Sequence, residues 1–247
     1  MASFIKDKLE KLTSKLLGNE KRYAEIKFWR NELQRYMQWY DGTISELYGH
    51  PAPAADQKVV DANKQLSALL TFFEIHQKTK YYKDLLLEKD EFRGMKLLDV
   101  GSGPFPSALC FEGCEVYCLD PLFDSYLSAG FPIHCYGERA RFVHARAEEI
   151  PVKDGFFDAV ISANAIDHVD DFAQTAGELR RVLKPGGRFR MHVHYHAKTT
   201  TEPIELNDEI FLQHYSWVSG LKKLHESKAK TGSVVESDDE LYVVWGN

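Results

Sequence analysis

Two acids and a glycine-rich turn are spaced as they would be around a nucleotide-like ligand. The apolar run Lys96–Val100, which includes Asp99, leads into Gly101-Ser102-Gly103 and a proline-flanked helix start. A strand, a tight turn and a helix N-terminus let the backbone approach a ligand closely and offer it free N–H groups. Asp120 ends the next predicted strand, where open α/β sheets bind ligands and a carboxylate can accept both hydroxyls of a ribose. The alternative is that Asp120 and Pro121 form only a turn.

A second group of chemically capable side chains lies on a strand predicted at residues 188–194. Alternation along it and just beyond it places one set on a single face: Arg188, Arg190, His192, His194 and His196. A central strand is usually apolar on both faces, so this polar face needs a partner. The alternatives are a divalent metal on imidazoles at i, i+2 and i+4, a substrate pocket, and hydrogen bonds to acids of a neighbouring helix or subunit. We favour a substrate pocket at His194 and His196, with Glu202 close by, and expect no metal.

These residues depend on an alternation of strands and helices that begins at residue 96 and predicts parallel βαβ units. The predicted strands span residues 96–100, 116–119, 142–145, 157–163 and 188–194, with helices at 106–112, 171–183 and 207–215. We expect a turn at Lys184-Pro185-Gly186-Gly187 and a helix cap at Asn207. Strands near 217–227 and 241–245, joined by a loop with Thr231-Gly232, predict an antiparallel hairpin. The fold class is therefore α/β: a Rossmann-like, doubly wound, mostly parallel sheet with a C-terminal antiparallel hairpin.

The part of the chain before residue 96 predicts helices. Apolar residues recur at helical spacing over residues 4–17, 20–40 and 57–88, with Gly18-Asn19 ending the first of these helices. We divide the chain into a helical N-terminal cap, residues 1–56, and a ligand-binding domain, residues 57–247. The first helix is expected to pack on its own domain or on a second copy in a homodimer. The aromatic side chains of the second helix are expected to lie in the hydrophobic core. Its Trp and Tyr side chains are also candidates to line a substrate pocket.

Composition and charge argue against several classes of protein. The chain has 247 residues, 44% of them hydrophobic, enough for one large domain with an appendage. The N-terminus is too charged for a signal peptide and no apolar run could span a bilayer, which predicts a cytoplasmic protein without stable membrane insertion. Residues 1–96 hold 17 Lys and Arg against 14 Asp and Glu, whereas residues 97–247 hold 14 against 23, which argues against a nucleic-acid partner. Three of the four cysteines fall four apart, which matches no common zinc spacing.

Several motifs together resemble the class I S-adenosylmethionine-dependent methyltransferases, in order and in spacing. The resemblance is greatest to the ubiquinone-biosynthesis-type, small-molecule branch and covers roughly residues 94–245. The segments that carry it are Leu97–Pro106, Asp120, Arg146–Pro151, Phe157–Ser162 and Arg181–Gly187.

The resemblance implies S-adenosylmethionine as the cofactor and assigns residues to its parts. The glycine turn and Asp99 would hold the methionine end, Asp120 the ribose hydroxyls, and the 147–148 segment the edge of the adenine. The cofactor-binding residues implied in this way are Asp99, Gly101, Ser102, Gly103, Asp120, Ala147, Glu148 and Asn164.

The candidate base also comes from the resemblance, because the family often has a Glu-His pair where this chain has Asp167-His168. The pKa of a histidine lies near working pH, so His168 could remove a proton from the acceptor. The equal alternative is that His168 only orients the loop before Asp170-Asp171. The candidate catalytic residues are therefore Asp167, His168, His194 and His196.

Two positions depart from the family pattern. Phe105 stands where a third glycine is usual, so its ring must point away from the cofactor or narrow the pocket. Arg146 stands where an acid usually accepts the adenine amino group, and arginine cannot accept a hydrogen bond. The alternative for Arg146 is that it points outward and pairs with an acid.

The function that follows is methyl transfer from S-adenosylmethionine to O or N of a small polar molecule. A first alternative is a cofactor-binding regulatory or interaction protein on the same fold, with Phe105 and Arg146 as marks of weakened binding. A second is a metal-dependent enzyme that uses His192, His194 and His196.

Overall fold

A single seven-stranded sheet organises the described part of the chain. The computed structural model describes residues 2–228 and 241–247, with side chains from residue 20 onward. A small antiparallel pair, β1 (Glu46–Leu47) and β2 (His50–Pro51), lies apart from that sheet. The sheet strands are β3 (Lys96–Val100), β4 (Glu115–Leu119), β5 (Ala140–Val143), β6 (Phe157–Ala163), β7 (Leu183–Tyr195), β8 (Lys222–Ser227) and β9 (Leu241–Gly246).

The sheet is mostly parallel, as predicted. Its strand order is β5-β4-β3-β6-β7-β9-β8, and β3 to β7 run parallel to one another. The last two strands pair antiparallel with each other, and β9 lies between β8 and β7. This arrangement confirms the predicted α/β class and the C-terminal antiparallel hairpin. The predicted turn at Thr231-Gly232 lies outside the described residues.

Helices pack on the sheet, and three of them come before its first strand in the sequence. They are α1 (Ala2–Asp41), α2 (Lys64–Phe72), α3 (Lys78–Leu85), α4 (Phe123–Ala129), α5 (Phe172–Val182) and α6 (Asp208–Tyr215). Short 3-10 turns lie at Ala55–Gln57, Ser107–Cys110, Ile133–Arg139 and Ile166–His168. Among the described residues, no helix is both long and apolar enough to cross a membrane.

The N-terminal helices differ from the prediction at two places. Gly18-Asn19 does not end a helix, because α1 runs continuously from Ala2 to Asp41. A glycine costs a helix interior only about 1 kcal/mol, which a continuing helix tolerates. The helix predicted over 57–88 begins only at Lys64, where the Asn63 side chain accepts from two backbone N–H groups, and ends at left-handed Leu86. A π-helical turn at Phe73–Gln77 separates α2 from α3.

Two segments of the sheet domain also differ in detail. The helix predicted at 106–112 is only a 3-10 turn, Ser107–Cys110. The expected turn at residues 184–187 is a bulge inside β7, because Leu183 pairs with Phe157 whereas Arg188 already pairs with Ala159. The Asn207 cap is confirmed, with its side chain accepting from the Ile210 N–H. The described cysteines form no disulfide, and Cys135 is exposed.

The two faces of β7 belong to two different cores. Phe189, Met191, Val193 and Tyr195 are buried in the cluster that contains α5 and α6. The opposite face carries His192 and faces a second core cluster, which includes residues of α1, α2 and α3. His192 pairs with Ala163, and Ala163 packs against that cluster. The sheet thus carries its histidines under the N-terminal helices.

Candidate functional site

A cleft of about 450 Å³ opens at the carboxyl ends of the central strands. Ligand pockets in proteins span roughly 300–1,000 Å³, so the cleft can take one small molecule. Its floor comes from the ends of β3, β4 and β6, and its outer wall comes from α1. The residues that line it include Lys21, Glu25, Trp29, Gly101, Gly103, Asp120, Tyr126, Arg146, Ala147, Glu148, Asn164 and His168.

The glycine turn after β3 forms the tightest part of the cleft. Gly101 has a φ of +69°, and a Cβ added there would lie 2.3 Å from the Cβ of Ala165. Gly103 has a φ of +64°, and a Cβ there would lie 3.3 Å from the Trp29 ring. Only glycine combines this backbone conformation with so little space. The turn therefore presents bare backbone to the cleft.

Asp120 lies at the end of β4, directly beside that turn. Its carboxylate accepts hydrogen bonds from the N–H groups of Gly103, at 3.0 Å, and of Leu122, at 2.8 Å. The side chain is buried, and burial raises the pKa of Asp120 to about 6 despite these bonds. The strand end, the turn and the acid that the sequence predicts therefore meet at one place.

Glu148 and Arg146 form one wall and hold the loop after β6 against it. The buried Glu148 carboxylate accepts from the N–H groups of Asp170, at 2.7 Å, and Asp171, at 3.1 Å. Arg146 donates to Glu148 at 3.1 Å and to Asp170 at 2.7 Å. Arg146 is thus the half-exposed partner of two acids, as the outward-pairing alternative described it. Ala147 lies beside them in the lining.

Asn164 supplies a buried acceptor that the protein itself does not use. The residue follows β6 in a left-handed conformation, with φ of +55°, and its backbone N–H donates to the carbonyl of His192. Its side-chain Oδ1 is buried and has no hydrogen-bond donor among the described residues. Because an unpaired buried acceptor costs free energy, a ligand donor at this point would be favourable.

Two of the predicted cofactor residues do not line the cleft. Asp99 is fully buried beneath it and accepts from the Tyr81 hydroxyl, at 3.2 Å and 3.1 Å to its two oxygens. Burial raises the pKa of Asp99 to about 7. Ser102 is also buried, with its hydroxyl 3.4 Å from the carbonyl of Gly103. Both side chains support the turn from behind.

Phe105 points away from the cleft. Its ring is 2% exposed and packs in the core, with centroids 5.8 Å from each of Tyr36, Phe72 and Phe131. The phenyl group therefore anchors the glycine turn to α1 and α2 and does not narrow the ligand space.

About two and a half turns of α1, from Lys21 to Trp29, close the cleft from outside. Lys21 donates to the backbone carbonyl of His168 and forms an ion pair with Asp170 at 2.9 Å. Glu25 contacts the His168 ring, and Trp29 packs edge-on against Tyr126. The sequence predicts Trp and Tyr of this helix as candidate pocket residues; Trp29 lines the cleft, whereas Tyr23, Tyr36 and Tyr40 do not, and the charged residues were not predicted. Their spacing at i and i+4 on one helix was the available signal, yet nothing in the sequence shows which surface that face covers.

The His168 ring is engaged on both sides. Its Nδ1 lies 2.7 Å from Glu25 and its Nε2 lies 3.5 Å from Glu202. Burial alone would lower the pKa of His168, but these two carboxylates raise it to about 10. A ring that carries both protons cannot accept another. The geometry therefore favours the alternative in which His168 orients its loop.

The other predicted catalytic residues gather behind the cleft and do not line it. His196 Nε2 lies 3.1 Å from the carboxylate of Asp167, which is fully buried. His194 stacks on Tyr242 and lies against His196, with ring centroids 4.4 Å and 4.3 Å apart. Glu202 lies close to them, as expected, 3.9 Å from His196. His192 is buried on the same face and stacks on Tyr242.

Similar proteins support one family. A family model described as a methyltransferase domain matches residues 98–191. A ubiquinone/menaquinone biosynthesis C-methyltransferase from Hahella chejuensis is 46% identical over 154 residues, which cover 59% of each chain. A demethylmenaquinone methyltransferase from Thermus thermophilus is 35% identical over 127 residues, which cover 50% of this chain and 56% of that one. The chain thus spans little more than half the length of these relatives.

Solved structures agree on the fold. The YcgJ protein from Bacillus subtilis superposes with a TM-score of 0.53 at 18% identity, covering 69% of this chain and 97% of that one. The family-model match, residues 98–191, contains the glycine turn, Asp120 and the ends of β3, β4 and β6. The comparisons thus support a class I S-adenosylmethionine-dependent methyltransferase domain, matched over residues 98–191.

Proposed function

We propose that the cleft binds S-adenosylmethionine and that the chain transfers the cofactor's methyl group to O or N of a small polar molecule. The observation that supports it most directly is the convergence of the glycine turn, Asp120 and Asn164 on one cleft. The relatives named above act in quinone biosynthesis, and one of them is a C-methyltransferase, so transfer to carbon is an outcome that the experiment must be able to detect.

The lining residues fit the cofactor at three points. The bare backbone of Gly101 and Gly103 leaves room for the methionine end, and Asn164 offers an acceptor to its amino group. Asp120 keeps acceptor capacity for ribose hydroxyls, because its two backbone bonds use only part of its lone pairs. Ala147 and Glu148 would border the adenine. For Asp99 and Ser102 we propose indirect support of the turn.

When bound, the cofactor supplies an activated methyl on a sulfonium, so the protein must mainly align the acceptor and exclude water. Lys21, Glu25 and Trp29 of α1 cover the cleft and suit the second task. His168, with both ring nitrogens facing carboxylates, is proposed as a positioning residue that locks the loop after β6 to α1. We therefore expect an acceptor that ionises without a protein base.

The polar lining also bears on the acceptor. Lys21, Arg22 and Arg146 bring positive charge to the cleft mouth, while Glu25 and Asp170 balance part of it. This mixture favours a polar small molecule over an apolar lipid. The homodimer and the cytoplasmic location stay predictions from the sequence.

Calorimetry with S-adenosylmethionine and with its demethylated product tests the first half of the proposal. Wild-type protein should bind both, and Asp120→Ala should weaken both. No heat at millimolar cofactor would contradict the proposal. A screen of metabolite pools with methyl-labelled cofactor then tests transfer. Binding without label transfer to any pool would favour the cofactor-binding regulatory protein instead.

A further inference from the structure

Four potential metal ligands come together behind the cleft. They are Asp167, His194, His196 and Glu202, and one ligand atom from each lies within 4.8 Å of all the others. Asp167 sits in the 3-10 turn after β6, and His194 lies near the end of β7. Glu202 comes from the following loop. None of the four lines the cleft, so the proposed methyl transfer does not account for them.

The buried carboxylate of Asp167 gives an independent sign of a missing ligand. The residue is 0% exposed, and Oδ2 pairs with His196. Its other oxygen, Oδ1, is also buried and has no donor among the described residues. A buried carboxylate oxygen without a partner is costly, and a cation is the partner that such an oxygen attracts most strongly.

The tautomer of His196 suits metal binding. Its Nδ1 lies 2.6 Å from the carbonyl of Ala197, so Nδ1 carries the proton and donates to it. This leaves Nε2 directed at the cluster, 3.1 Å from Asp167 and 3.9 Å from Glu202. A backbone carbonyl that holds the second ring nitrogen is the usual support of a metal-bound histidine.

We propose that Asp167, His194, His196 and Glu202 bind one divalent first-row transition metal ion. Two imidazole nitrogens and two carboxylate oxygens suit Zn²⁺, Co²⁺, Fe²⁺ or Mn²⁺ better than Mg²⁺ or Ca²⁺, which prefer oxygen alone. With bonds of about 2.1 Å, adjacent donors of a tetrahedral site lie about 3.4 Å apart. The observed separations of 3.1 Å and 3.9 Å already bracket that value.

The ion would be structural. Four protein donors leave no open position, which is the arrangement of structural sites. The donors come from the turn after β6, from the end of β7 and from the 199–202 loop, so one ion would fasten three segments. The loop already presents Glu202, because Thr199 Oγ1 donates to its carboxylate and accepts from its N–H, both at 3.0 Å. The competing explanation is a metal-free ion-pair network with a protonated His196.

Titration of untagged, chelator-treated full-length protein with Co²⁺ distinguishes the two explanations. We expect one equivalent to bind with visible absorption bands typical of four-coordinate Co²⁺, to be displaced by Zn²⁺ and to persist in millimolar Mg²⁺. Asp167→Asn and His194→Gln should each weaken binding by about 100-fold or more. The matched control is His192→Gln, a buried ring on the same strand face outside the donor set, which should bind Co²⁺ within about twofold of wild type.

Three results would overturn the proposal: no Co²⁺ binding by wild type at millimolar metal, unchanged binding in Asp167→Asn, or equal loss in His192→Gln. Circular dichroism of each variant checks that it is folded. The wild-type spectrum is a second measurement that needs no variant, because six-coordinate surface binding gives much weaker bands. The metal is tested alone, so the result does not depend on whether the chain transfers methyl groups.

Discussion

The cleft and the histidine cluster lie side by side, yet they are built in opposite ways. Asn164 and Asp167 are three residues apart, at the same end of the sheet, but only Asn164 faces the cleft. The cleft is formed by bare backbone and a few acceptors with capacity to spare. The cluster is closed and mostly buried, and its side chains face one another, although Asp167 Oδ1 has no donor among the described residues. Residues with similar chemistry in the sequence thus have different roles, and their accessibility from the cleft determines the role of each.

The same contrast exists within the glycine-rich segment itself. Gly101 and Gly103 face the cleft, whereas Phe105, two residues later, faces the core. Binding and stability should therefore separate between neighbouring positions, and variants of these positions can test that separation.

The largest effect is expected on stability. Phe105→Ala should lower the free energy of unfolding by about 3–5 kcal/mol, because it removes a buried ring that packs on Tyr36, Phe72 and Phe131. Cofactor affinity of the folded variant should stay within about threefold of wild type, since the ring lies outside the cleft. A tenfold loss of affinity, about 1.4 kcal/mol of binding free energy, would exceed that expectation. Urea unfolding and calorimetry measure the two. Phe28→Ala, at a ring 51% exposed, is the control for losing a phenyl group.

Gly101→Ala should damage both properties. The new methyl group would meet the Ala165 Cβ at 2.3 Å in a backbone conformation with φ of +69°. A side chain at positive φ costs about 1–2 kcal/mol and the overlap adds about 1–3 kcal/mol. Cofactor binding should fall below detection in calorimetry. Gly186→Ala isolates the backbone cost, because Gly186 has φ of +72° with no neighbouring atom within 4 Å, and it should bind normally.

Asp120→Asn should weaken cofactor binding by about 10–100-fold, because it removes the charge from an acceptor of hydrogen bonds and bonds to a charged acceptor contribute about that much to affinity. Isothermal titration of both proteins at pH 8 measures it. Equal affinity would show that the ribose hydroxyls bind elsewhere.

The pH dependence of binding should follow Asp120. Burial raises its pKa from 3.8 to about 6, in surroundings that include Glu25 of α1, Tyr126 of α4 and Asp99 of β3. The folded protein therefore holds a proton that the unfolded chain releases, and this group's contribution to stability falls as pH rises from about 4 to 6. Because the proposed contact with the ribose hydroxyls needs the carboxylate, cofactor affinity should fall as pH drops below about 6. Asp120→Asn should remove that component.

The smallest effect is expected at Arg146. Its side chain is 54% exposed, and exposed ion pairs contribute about 0–1 kcal/mol. Arg146→Ala should change stability by less than about 1 kcal/mol and cofactor affinity by less than about threefold. Glu148→Gln is the contrasting variant, because the buried Glu148 carboxylate also holds the 170–171 backbone. A large effect of Arg146→Ala would show that the guanidinium binds the cofactor directly.

Periodicity and local motifs predict the sheet well. The bounds of β6, the Asn207 cap and the antiparallel C-terminal pair follow from residues close together in sequence. The same reasoning fails where burial or contacts between distant residues determine the local structure. Gly18 permits a helix that local rules would end, and the π-helical turn at 73–77 has no sequence pattern of its own. The polar face of β7 is visible in the sequence, but its partners are not.

The sequence predicts only those parts of the site whose residues lie close together along the chain. Gly101, Gly103 and Asp120 are brought together by one βαβ unit, and their spacing is sufficient. Lys21 and Glu25 reach the cleft from the far end of the chain. The donor set of the cluster likewise needs Asp167 and Glu202, 35 positions apart in the sequence, to meet. No spacing within either segment encodes these contacts.

The docking of α1 has a consequence for the order of folding. Its contacts with His168 and Asp170 join residues 143 to 149 positions apart, so each closes a loop longer than half of the chain. Contacts of such separation form late, because the entropy of closing the loop must be overcome before they contribute. The parallel sheet can be complete while the outer wall of the cleft is still missing. Ligand-binding competence should therefore be the last property to return during refolding, and Trp29 fluorescence in the presence of cofactor would follow it.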